Sequence, residues 1–448
     1  MASFSIENFG CRATDADASA IRRSLLAGGL AHVEDHADAD VVVLNTCTVT
    51  AAADSQAREA IRKIHRANPN ARILVTGCYA QRAPQEIAAL DGVSYVVGNS
   101  HLAEIPAAIR ELRQSNRSSV SDFVPLSEFA ADEMSLARGA AKILIGDIFA
   151  QTTVPFASTD GSDAVLDRTR PILKIQDGCN NRCSYCVIPF VRGKSRSLSA
   201  NQVIAEVSAL VSAGAKEIVL SGINLGSYGR DFSPRASLQD VVRRILDETP
   251  LDQIRFSSIE PQDITEEFVA LVAPSHRIAQ HFHVPLQSGS NRILRAMHRW
   301  YRAEHYAERI KLIRRMLPHA AIGGDVIAGF PGETPDDFET TRGFISSLPF
   351  TYLHVFSFSE RPGTSAADLG DPVWPAEIRE RARSLRELGR KKSAEFRESQ
   401  AARSVRALTL ARTGDNWTEA LTGNYLKVRI EGCRPANEWH EITIGPVS

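Results

Sequence analysis

A chain of 448 residues is too long for one ordinary hydrophobic core and predicts roughly two to four domains. Its net charge of −1 excludes a global basic field for nucleic acid, although a local basic patch is compatible with it. No apolar run approaches the ~20 residues that span a bilayer, and the start, MASFSIENFG, lacks a signal-peptide pattern. With seven cysteines, we expect a cytoplasmic protein without a membrane partner, in which clustered cysteines indicate metal more often than disulfides.

Residues 1–113 alternate short β-branched runs with helical stretches, which predicts a small parallel α/β domain. The runs are VVVLN, ARILVTG and VSYVVG. Residues 114–166 are rich in Ser, Ala and Asp and form a predicted connector. The connector has one apolar piece, AKILIGDIF, to which the pattern assigns no place.

Strands and helices alternate again over residues 167–380. The candidate strands are PILKIQ, KEIVLSG, QIRFSSI, HFHVPL, IGGDVIAG and TYLHVFSF, and Thr334 to Asp337 has the pattern of a helix-capping box. Six such units predict a partial (β/α)6 barrel. A charged helical linker at 381–403 leads to a tail at 404–448, whose short strands indicate a small β-barrel. The predicted fold class is therefore α/β, with an amino-terminal sheet, a central barrel and a β-barrel tail.

Three cysteines, Cys179, Cys183 and Cys186, follow the candidate strand PILKIQ in a C-x-x-x-C-x-x-C run. Because sites in α/β folds lie at the carboxyl ends of strands, this run is expected on a loop at the barrel mouth. A tetrahedral zinc needs four ligands and a cubane cluster has four irons, so three thiols leave one position open. A zinc knuckle completed from elsewhere is the alternative, but no second C-x-x-C or histidine pair follows. An iron–sulfur cluster with one open iron is favoured.

A second set of cysteines has the same placement. Cys11, Cys47 and Cys78 each come just past a candidate strand. Any one of them alone would more often be a small buried hydrophobe. In a parallel sheet, however, they converge on one edge, which predicts a second three-cysteine cluster. Cys433 is isolated in the tail and is expected to be a structural thiol.

The first run, with Tyr185 before its last cysteine, resembles the radical S-adenosylmethionine (SAM) enzymes, in which SAM chelates the open iron. NTCTVT around Cys47 and TGCYAQ around Cys78 resemble the amino-terminal domain of the methylthiotransferases of that superfamily. SGINLGSYG, SSIEP, PLQSGS, GFPGET and SERPGT fit the same family, and the tail, with LTGNYLKV, is similar to an RNA-binding TRAM domain. One departure is Arg12-Ala13-Thr14 after the first cysteine, where the family commonly has a basic residue, one further residue and Asn.

The resemblance implies two [4Fe-4S] clusters and two molecules of SAM. One SAM, on the catalytic cluster of Cys179, Cys183 and Cys186, would yield a 5′-deoxyadenosyl radical. The other would methylate a sulfur carried by the auxiliary cluster, and both clusters would face one cavity. A radical from a cofactor is needed because side-chain acids and bases cannot insert sulfur at an unactivated C–H carbon. The electron would come from a donor such as flavodoxin or ferredoxin.

Several residues at the ends of barrel strands are candidates for contacts with SAM. They are Tyr185, Ser221, Gly222, Ser257, Glu260, Gln287 and Asp325. An ordinary tight turn is the alternative at Ser221 and Gly222, and core packing is the alternative at Asp325. The basic, aromatic segment NRILRAMHRWYRAEHYAERIKLIRRM could follow phosphates, but a solvated helix face is favoured.

Within the family, NTCTVT followed by Ala53-Asp54, together with TGCYAQ and SGINLGSYG, is most similar to the branch that acts on tRNA N6-threonylcarbamoyladenosine at position 37. The resemblance implies methylthiolation at C-2 and an anticodon stem-loop as partner, with a cationic side chain near the barrel mouth for the threonyl carboxylate. The alternatives are isopentenyladenosine in tRNA or a ribosomal protein as substrate. A non-catalytic iron–sulfur RNA-binding protein is the alternative from another class.

Overall fold

The computed structural model describes residues 2–118, 141–155 and 168–445, and omits the side chains of residues 112–118. Most of the predicted connector at 114–166 therefore lies outside the described residues. The chain divides into two compact units, Met1–Phe156 with Val187–Lys194 and Ala157–Cys186 with Ser195–Ser448. Within the described ranges, no helix is both long enough and apolar enough to cross a membrane.

The first unit contains a sheet of six parallel strands in the order β2-β1-β3-β4-β5-β6, which confirms the predicted α/β class. The strands are β1 Ser3–Asn8, β2 Ala31–His32, β3 Val41–Thr46, β4 Arg72–Gly77, β5 Val93–Gly98 and β6 Lys142–Leu144. The helices are α1 Arg12–Ala27, α2 Ala51–Ala67, α3 Cys78–Arg82, α4 Pro84–Ala88, α5 Ile105–Ser118 and α6 Ile188–Arg192. The unassigned piece AKILIGDIF supplies the edge strand β6, which pairs with β5.

The central strands of this sheet are covered on both faces. Val43 and Leu74 belong to one hydrophobic cluster, whereas their neighbours Val42 and Val75 belong to another. Successive side chains of a strand point to opposite faces, so a strand that is apolar throughout has to be covered by helices on both sides. The helix α2 covers one face with Ala57, Ile61 and Ile64, which are spaced one helical turn apart.

The second unit contains six parallel barrel strands and one short antiparallel strand, in the orders β10-β9-β7-β8 and β11-β12-β13. Isolated bridges, Ile254 to Ile278 and Ser258 to His283, join the two groups. The strands are β7 Ile172–Asp177, β8 Arg196–Ser197, β9 Glu217–Gly222, β10 Gln253–Phe256, β11 His281–His283, β12 Ala321–Ala328 and β13 Tyr352–Ser357. The helices are α7 Ala200–Ser212, α8 Leu238–Glu248, α9 Glu266–Val272, α10 Asn291–Ala296, α11 Ala303–Met316, α12 Pro335–Ser347 and α13 Pro375–Ser399. The predicted partial barrel is confirmed, as is the capping box of Thr334 and Asp337.

The tail is a four-stranded antiparallel sheet in the order β16-β15-β14-β17. Its strands are β14 Ser404–Gly414, β15 Trp417–Thr422, β16 Lys427–Glu431 and β17 Trp439–Thr443. The sheet forms a curled half-barrel.

The tail packs against the amino-terminal ends of the barrel strands. The guanidinium of Arg255 donates to the carbonyl oxygens of Thr422 and Gly423, both at 3.1 Å. The ring of Tyr425 stacks on His281, the first residue of β11, with ring centroids 4.1 Å apart. The carboxyl ends of the strands, where Cys179 follows β7, lie at the opposite end of the barrel. The tail therefore supports the barrel without lining the predicted site.

Candidate active site

Three cysteines lie at the carboxyl ends of three adjacent strands of the first unit. Cys11 precedes α1 just beyond β1, Cys47 directly follows β3, and Cys78 directly follows β4. Because β1, β3 and β4 are neighbours and parallel, these ends meet at one edge of the sheet. Cys47 and Cys78 are buried and Cys11 is exposed.

The backbone beside Cys11 is shaped to bring it close to Cys47. Gly10 has a φ of +124°, and a Cβ atom added there would lie 2.6 Å from Cβ and 3.1 Å from Sγ of Cys47. A side chain at position 10 would therefore separate the two cysteines. Burial raises the pKa of the Cys47 thiol to about 12, and charge repulsion from the neighbouring Cys78 and Cys11 adds to this shift. The free thiols of Cys47 and Cys78 therefore hold their protons at neutral pH, so metal binding by them has to release protons.

A buried arginine contacts the third of these cysteines. Nε of Arg192, on α6, lies 3.3 Å from Sγ of Cys78, and Nη1 of the same side chain lies 2.8 Å from Oδ2 of Asp17 on α1. Asn99 also donates to Sγ of Cys78 at 3.6 Å and anchors α6 through a 2.8 Å bond to the carbonyl of Val191. Burial raises the pKa of Cys78, and the charge of Arg192 opposes that shift. Two N–H groups thus donate to Sγ of Cys78, and both contacts suit the thiolate form that binds iron.

The second set, Cys179, Cys183 and Cys186, lies on the loop that follows β7. Gln176 fixes the start of this loop by donating to the carbonyls of Asp177 and Gly178 at 2.9 and 2.8 Å. The carboxylate of Asp177 accepts from Lys174 at 2.8 Å. Further along, the amide of Asn181 donates to Sγ of Cys179 at 3.4 Å. The loop is therefore ordered by its own hydrogen bonds. It offers three sulfur atoms as metal ligands, and the one other cysteine among the described residues of this unit is Cys433 in the tail.

A second buried arginine contacts this set. Nη1 of Arg299 lies 3.3 Å from Sγ of Cys183, and its Nη2 donates to the carboxylate of Glu260. Its guanidinium also lies over the ring of Tyr301, 5.0 Å from the centroid. Glu260, a predicted SAM contact, thus holds an arginine against a cysteine, as Asp17 does in the first unit. Both sets fit a [4Fe-4S] cluster, since each offers three thiols and a cationic donor to one of them.

The structure places most of the other predicted SAM contacts around the same barrel mouth. Ser221 and Gly222 end β9, and Gln287 has a φ of +67° beside a backbone bridge to Val326. Ser257 is buried, and its hydroxyl has no hydrogen-bond partner among the described residues. An orphaned buried hydroxyl is costly unless a ligand satisfies it. Ser257 therefore fits a polar ligand such as SAM.

Tyr185 lies beside the cysteines but packs into a hydrophobic cluster with Phe330, at 6.5 Å between ring centroids. Asp325, on β12, is held by two histidines: Oδ1 lies 2.9 Å from Nε2 of His283 and 3.3 Å from Nδ1 of His354. Burial alone would raise the pKa of Asp325, but hydrogen bonds from these histidines outweigh it and lower the pKa below its usual range. Asp325 is thus an ionised group within β12 that is held by hydrogen bonds.

Four functional candidates have no local signal in the sequence: Arg192, Arg299, His283 and His354. Arg299 belongs to the basic segment interpreted as a solvated face, yet its side chain is only 4% exposed. Its carboxylate partner is 39 residues away in the chain. Only the tertiary structure brings such pairs together.

The comparisons with known proteins agree with this geometry. Residues 3–98 match the model of "Uncharacterized protein family UPF0004", and residues 173–345 match the radical SAM superfamily. The chain is 36% identical over 441 residues to a "Threonylcarbamoyladenosine tRNA methylthiotransferase MtaB" of Aquifex aeolicus, covering 98% of this chain and 99% of the relative. It is 36% identical to the protein of the same description in Bacillus subtilis, covering 96% and 91%.

Relatives with another printed substrate are also similar. A "tRNA-2-methylthio-N(6)-dimethylallyladenosine synthase" of Syntrophobacter fumaroxidans is 34% identical, covering 84% of this chain and 77% of the relative. Among solved structures, a radical SAM methyltransferase, TsrM, from Kitasatospora setae has a TM-score of 0.55 at 16% identity, covering 94% of this chain and 81% of that one. At this identity the structural likeness concerns the fold alone.

Proposed function

Because the chain belongs to the tRNA methylthiotransferases of the radical SAM superfamily, we propose that it methylthiolates C-2 of N6-threonylcarbamoyladenosine at position 37. The observation that carries the reaction type is the pair of three-cysteine sites, one at the carboxyl ends of β1, β3 and β4 and one on the loop after β7, each with a buried arginine on one sulfur. Relatives named for this substrate match nearly the whole chain.

The two sites have different tasks in this proposal. Cys179, Cys183 and Cys186 hold the cluster that, with SAM, supplies the radical chemistry that side chains cannot perform. Cys11, Cys47 and Cys78 would hold the auxiliary cluster, which would supply the site for the inserted sulfur. A second SAM would supply the methyl group, and flavodoxin or ferredoxin would supply electrons. Arg192 and Arg299 orient one sulfur ligand each and offset its negative charge.

The barrel mouth binds SAM through groups at the strand ends. The unpartnered hydroxyl of Ser257 is offered to the ligand, and Ser221, Gly222 and Gln287 contribute from neighbouring strand ends. Glu260 acts through Arg299 in this proposal, because its carboxylate is already engaged. These roles give the chain a SAM-binding surface directly beside Cys183.

The tRNA partner is recognised in part by the tail. Trp417 lies under two arginines, with the guanidinium of Arg429 at 4.3 Å and that of Arg412 at 6.0 Å from the ring. Paired arginine and aromatic surfaces bind phosphates and stack on unpaired bases. An adenine beside the anticodon is unpaired and enters a pocket at less cost than a base in a duplex. The anticodon stem-loop is therefore the proposed partner.

Nucleoside mass spectrometry of tRNA from a strain lacking the gene tests this function. We expect loss of 2-methylthio-N6-threonylcarbamoyladenosine and accumulation of its precursor without the methylthio group. The wild-type gene should restore the modification, and a gene encoding Cys179→Ala should not. Loss of the methylthio group from the isopentenyl nucleoside, or from a ribosomal protein with tRNA unchanged, would show that the substrate is a different one.

A further inference from the structure

Three ionisable side chains meet on the inner face of the barrel, beside the proposed SAM site. The candidate ligand atoms of His283, Asp325 and His354 all lie within 4.8 Å of one another. We call these three residues the His–Asp–His cluster. The two histidines have no task in the chemistry proposed above, and Oδ1 of Asp325, a predicted SAM contact, is taken by them.

The strand register brings these three side chains together. Asp325 on β12 is the direct partner of His354 on β13, so their side chains emerge on the same face of adjacent strands. His283 on β11 is the partner of Gly323, which has no side chain. A Cβ atom at Gly323 would lie 2.0 Å from the ring of Tyr352, so the glycine makes room for that ring. Oη of Tyr352 then lies 2.9 Å from Nδ1 of His283.

These contacts occupy His283 completely but leave His354 with one free nitrogen. His283 contacts Tyr352 through Nδ1 and Asp325 through Nε2. His354 contacts Asp325 through Nδ1, and among the described residues no hydrogen bond to its Nε2 is found. Its side chain is 55% exposed, whereas that of His283 is 6% exposed. The His–Asp–His cluster therefore presents a single solvent-exposed group, the imidazole of His354.

An imidazole held in this way can bind an anion. The carboxylate of Asp325 lies 3.3 Å from Nδ1 of His354 and fixes the orientation of the ring. A ring with a proton on both nitrogens donates to Asp325 through Nδ1 and offers Nε2–H for a charge-assisted hydrogen bond to an anionic ligand. Phe356 lies two residues after His354 on the same face of β13 and is 43% exposed. An exposed aromatic ring beside a cationic donor suits an unpaired base that carries an anionic substituent.

We infer that His354, positioned by Asp325 and His283, binds the carboxylate of the N6-threonylcarbamoyl group. This inference rests on the proposed function, because it requires the threonylcarbamoyl substrate. The dimethylallyl group named in the description of other relatives is apolar and cannot accept a hydrogen bond from Nε2. A site that hydrogen-bonds a group of its substrate discriminates against an analogue that lacks this group. The His–Asp–His cluster would thus select the substrate as well as bind it.

Binding measurements with matched RNAs test this inference without turnover. Three anticodon stem-loops are compared on the reconstituted enzyme by fluorescence anisotropy: one with N6-threonylcarbamoyladenosine, one with its methyl ester, and one with the dimethylallyl nucleoside. The wild type is expected to bind the free acid about 10- to 100-fold more tightly than the ester, the range of a charge-assisted hydrogen bond. His354→Ala should abolish this preference, and Asp325→Asn should reduce it.

Two controls keep the test specific. His276→Ala changes an exposed histidine on the loop after α9 and should keep the preference for the acid. Unchanged iron content in each variant shows that the clusters and the fold are intact. If His354→Ala keeps the wild-type ratio of acid to ester affinity, the inference fails while the proposed function stands.

Other outcomes separate the remaining explanations. Tight wild-type binding of the dimethylallyl stem-loop alone would overturn the proposed substrate, and the inference with it. A stoichiometric non-iron divalent metal that is present in the wild type and absent in His354→Ala would replace the direct contact by metal coordination. Loss of the preference for the acid in His354→Ala, with iron content unchanged and no such metal, supports the direct contact.

Discussion

Nε of Arg192 lies 3.3 Å from Sγ of Cys78, and the same guanidinium pairs with Asp17 at 2.8 Å. In the other unit, Arg299 stands 3.3 Å from Sγ of Cys183 and pairs with Glu260. In each proposed cluster, one cysteine ligand therefore accepts a hydrogen bond from an arginine, and a carboxylate holds that arginine in place. A cation beside a cluster favours its reduced, more negative form, so both arginines are expected to raise a reduction potential.

Replacing Arg192 should lower the reduction potential of the auxiliary cluster alone. For Arg192→Met we expect a decrease on the order of 60–120 mV, the equivalent of one lost charge-assisted hydrogen bond. The measurement is a redox titration followed by electron paramagnetic resonance, in protein that lacks the three cysteines of the other site.

The matched control for this titration is Arg62→Met, which removes an exposed arginine of α2. The double variant Asp17→Asn, Arg192→Met avoids leaving a buried carboxylate uncompensated. An unchanged potential in both Arg192 variants, with the cluster intact, would contradict the assigned role.

The pair of Glu217 and Arg255 should contribute to the stability of the second unit. Both side chains are fully buried, and Arg170 lies 3.3 Å from the same carboxylate. Although burial alone would raise the pKa of Glu217, these arginines lower it. Glu217→Gln leaves two cations uncompensated and should decrease the free energy of unfolding by about 3–5 kcal/mol.

Urea denaturation measures this effect, with Glu248→Gln as the control. Glu248 pairs with Arg244 on the surface of α8, where an ion pair contributes less than ~1 kcal/mol. Equal stabilities of the two variants would show that the buried network does not support the fold.

The tail should contribute to tRNA affinity without affecting the clusters. Deleting it would expose Arg255 and His281, so point variants at its surface are cleaner. Trp417→Ala with Arg429→Ala is expected to weaken binding of unmodified tRNA by about 10-fold or more, through lost stacking and phosphate contact. Filter binding at fixed salt measures this, with Arg383→Ala on α13 as control. Unchanged affinity would place tRNA recognition elsewhere on the chain.

The strands and the cysteine placement could be predicted because both are local. Apolar runs such as VVVLN and KEIVLSG mark buried parallel strands, and the residue after such a run lies at the carboxyl edge of the sheet. The strand β6 was not predicted, because only three residues form it and two are exposed at the sheet edge. Its pairing with β5 depends on tertiary context more than on its own sequence.

The charged partners of the site could not be predicted, because they join distant parts of the chain. Arg192 and Cys78 are 114 residues apart, and Arg299 and Cys183 are 116 apart. A local sequence pattern identifies an arginine only as a basic residue, and a basic residue is predicted to be exposed to solvent. Only the packed fold shows that these side chains are buried and held by Asp17 and Glu260.

Replacing Cys11, Cys47 and Cys78 with Ala should separate the two tasks. We expect reductive cleavage of SAM to continue, since the radical site is intact, and methylthio transfer to stop. Liquid chromatography of 5′-deoxyadenosine and of the tRNA nucleosides measures both products in one reaction. Normal methylthiolation by this variant would exclude these cysteines as holders of the sulfur-carrying cluster.

Iron content and Mössbauer spectra of three matched proteins test the two-cluster account most directly. The anaerobically reconstituted wild type is expected to hold two [4Fe-4S] clusters, or about eight irons per chain. The variant with Ala at 11, 47 and 78 and the variant with Ala at 179, 183 and 186 should each hold about four, and only the former should change its spectrum on addition of SAM. Eight irons in either variant, or four in the wild type, would contradict the account.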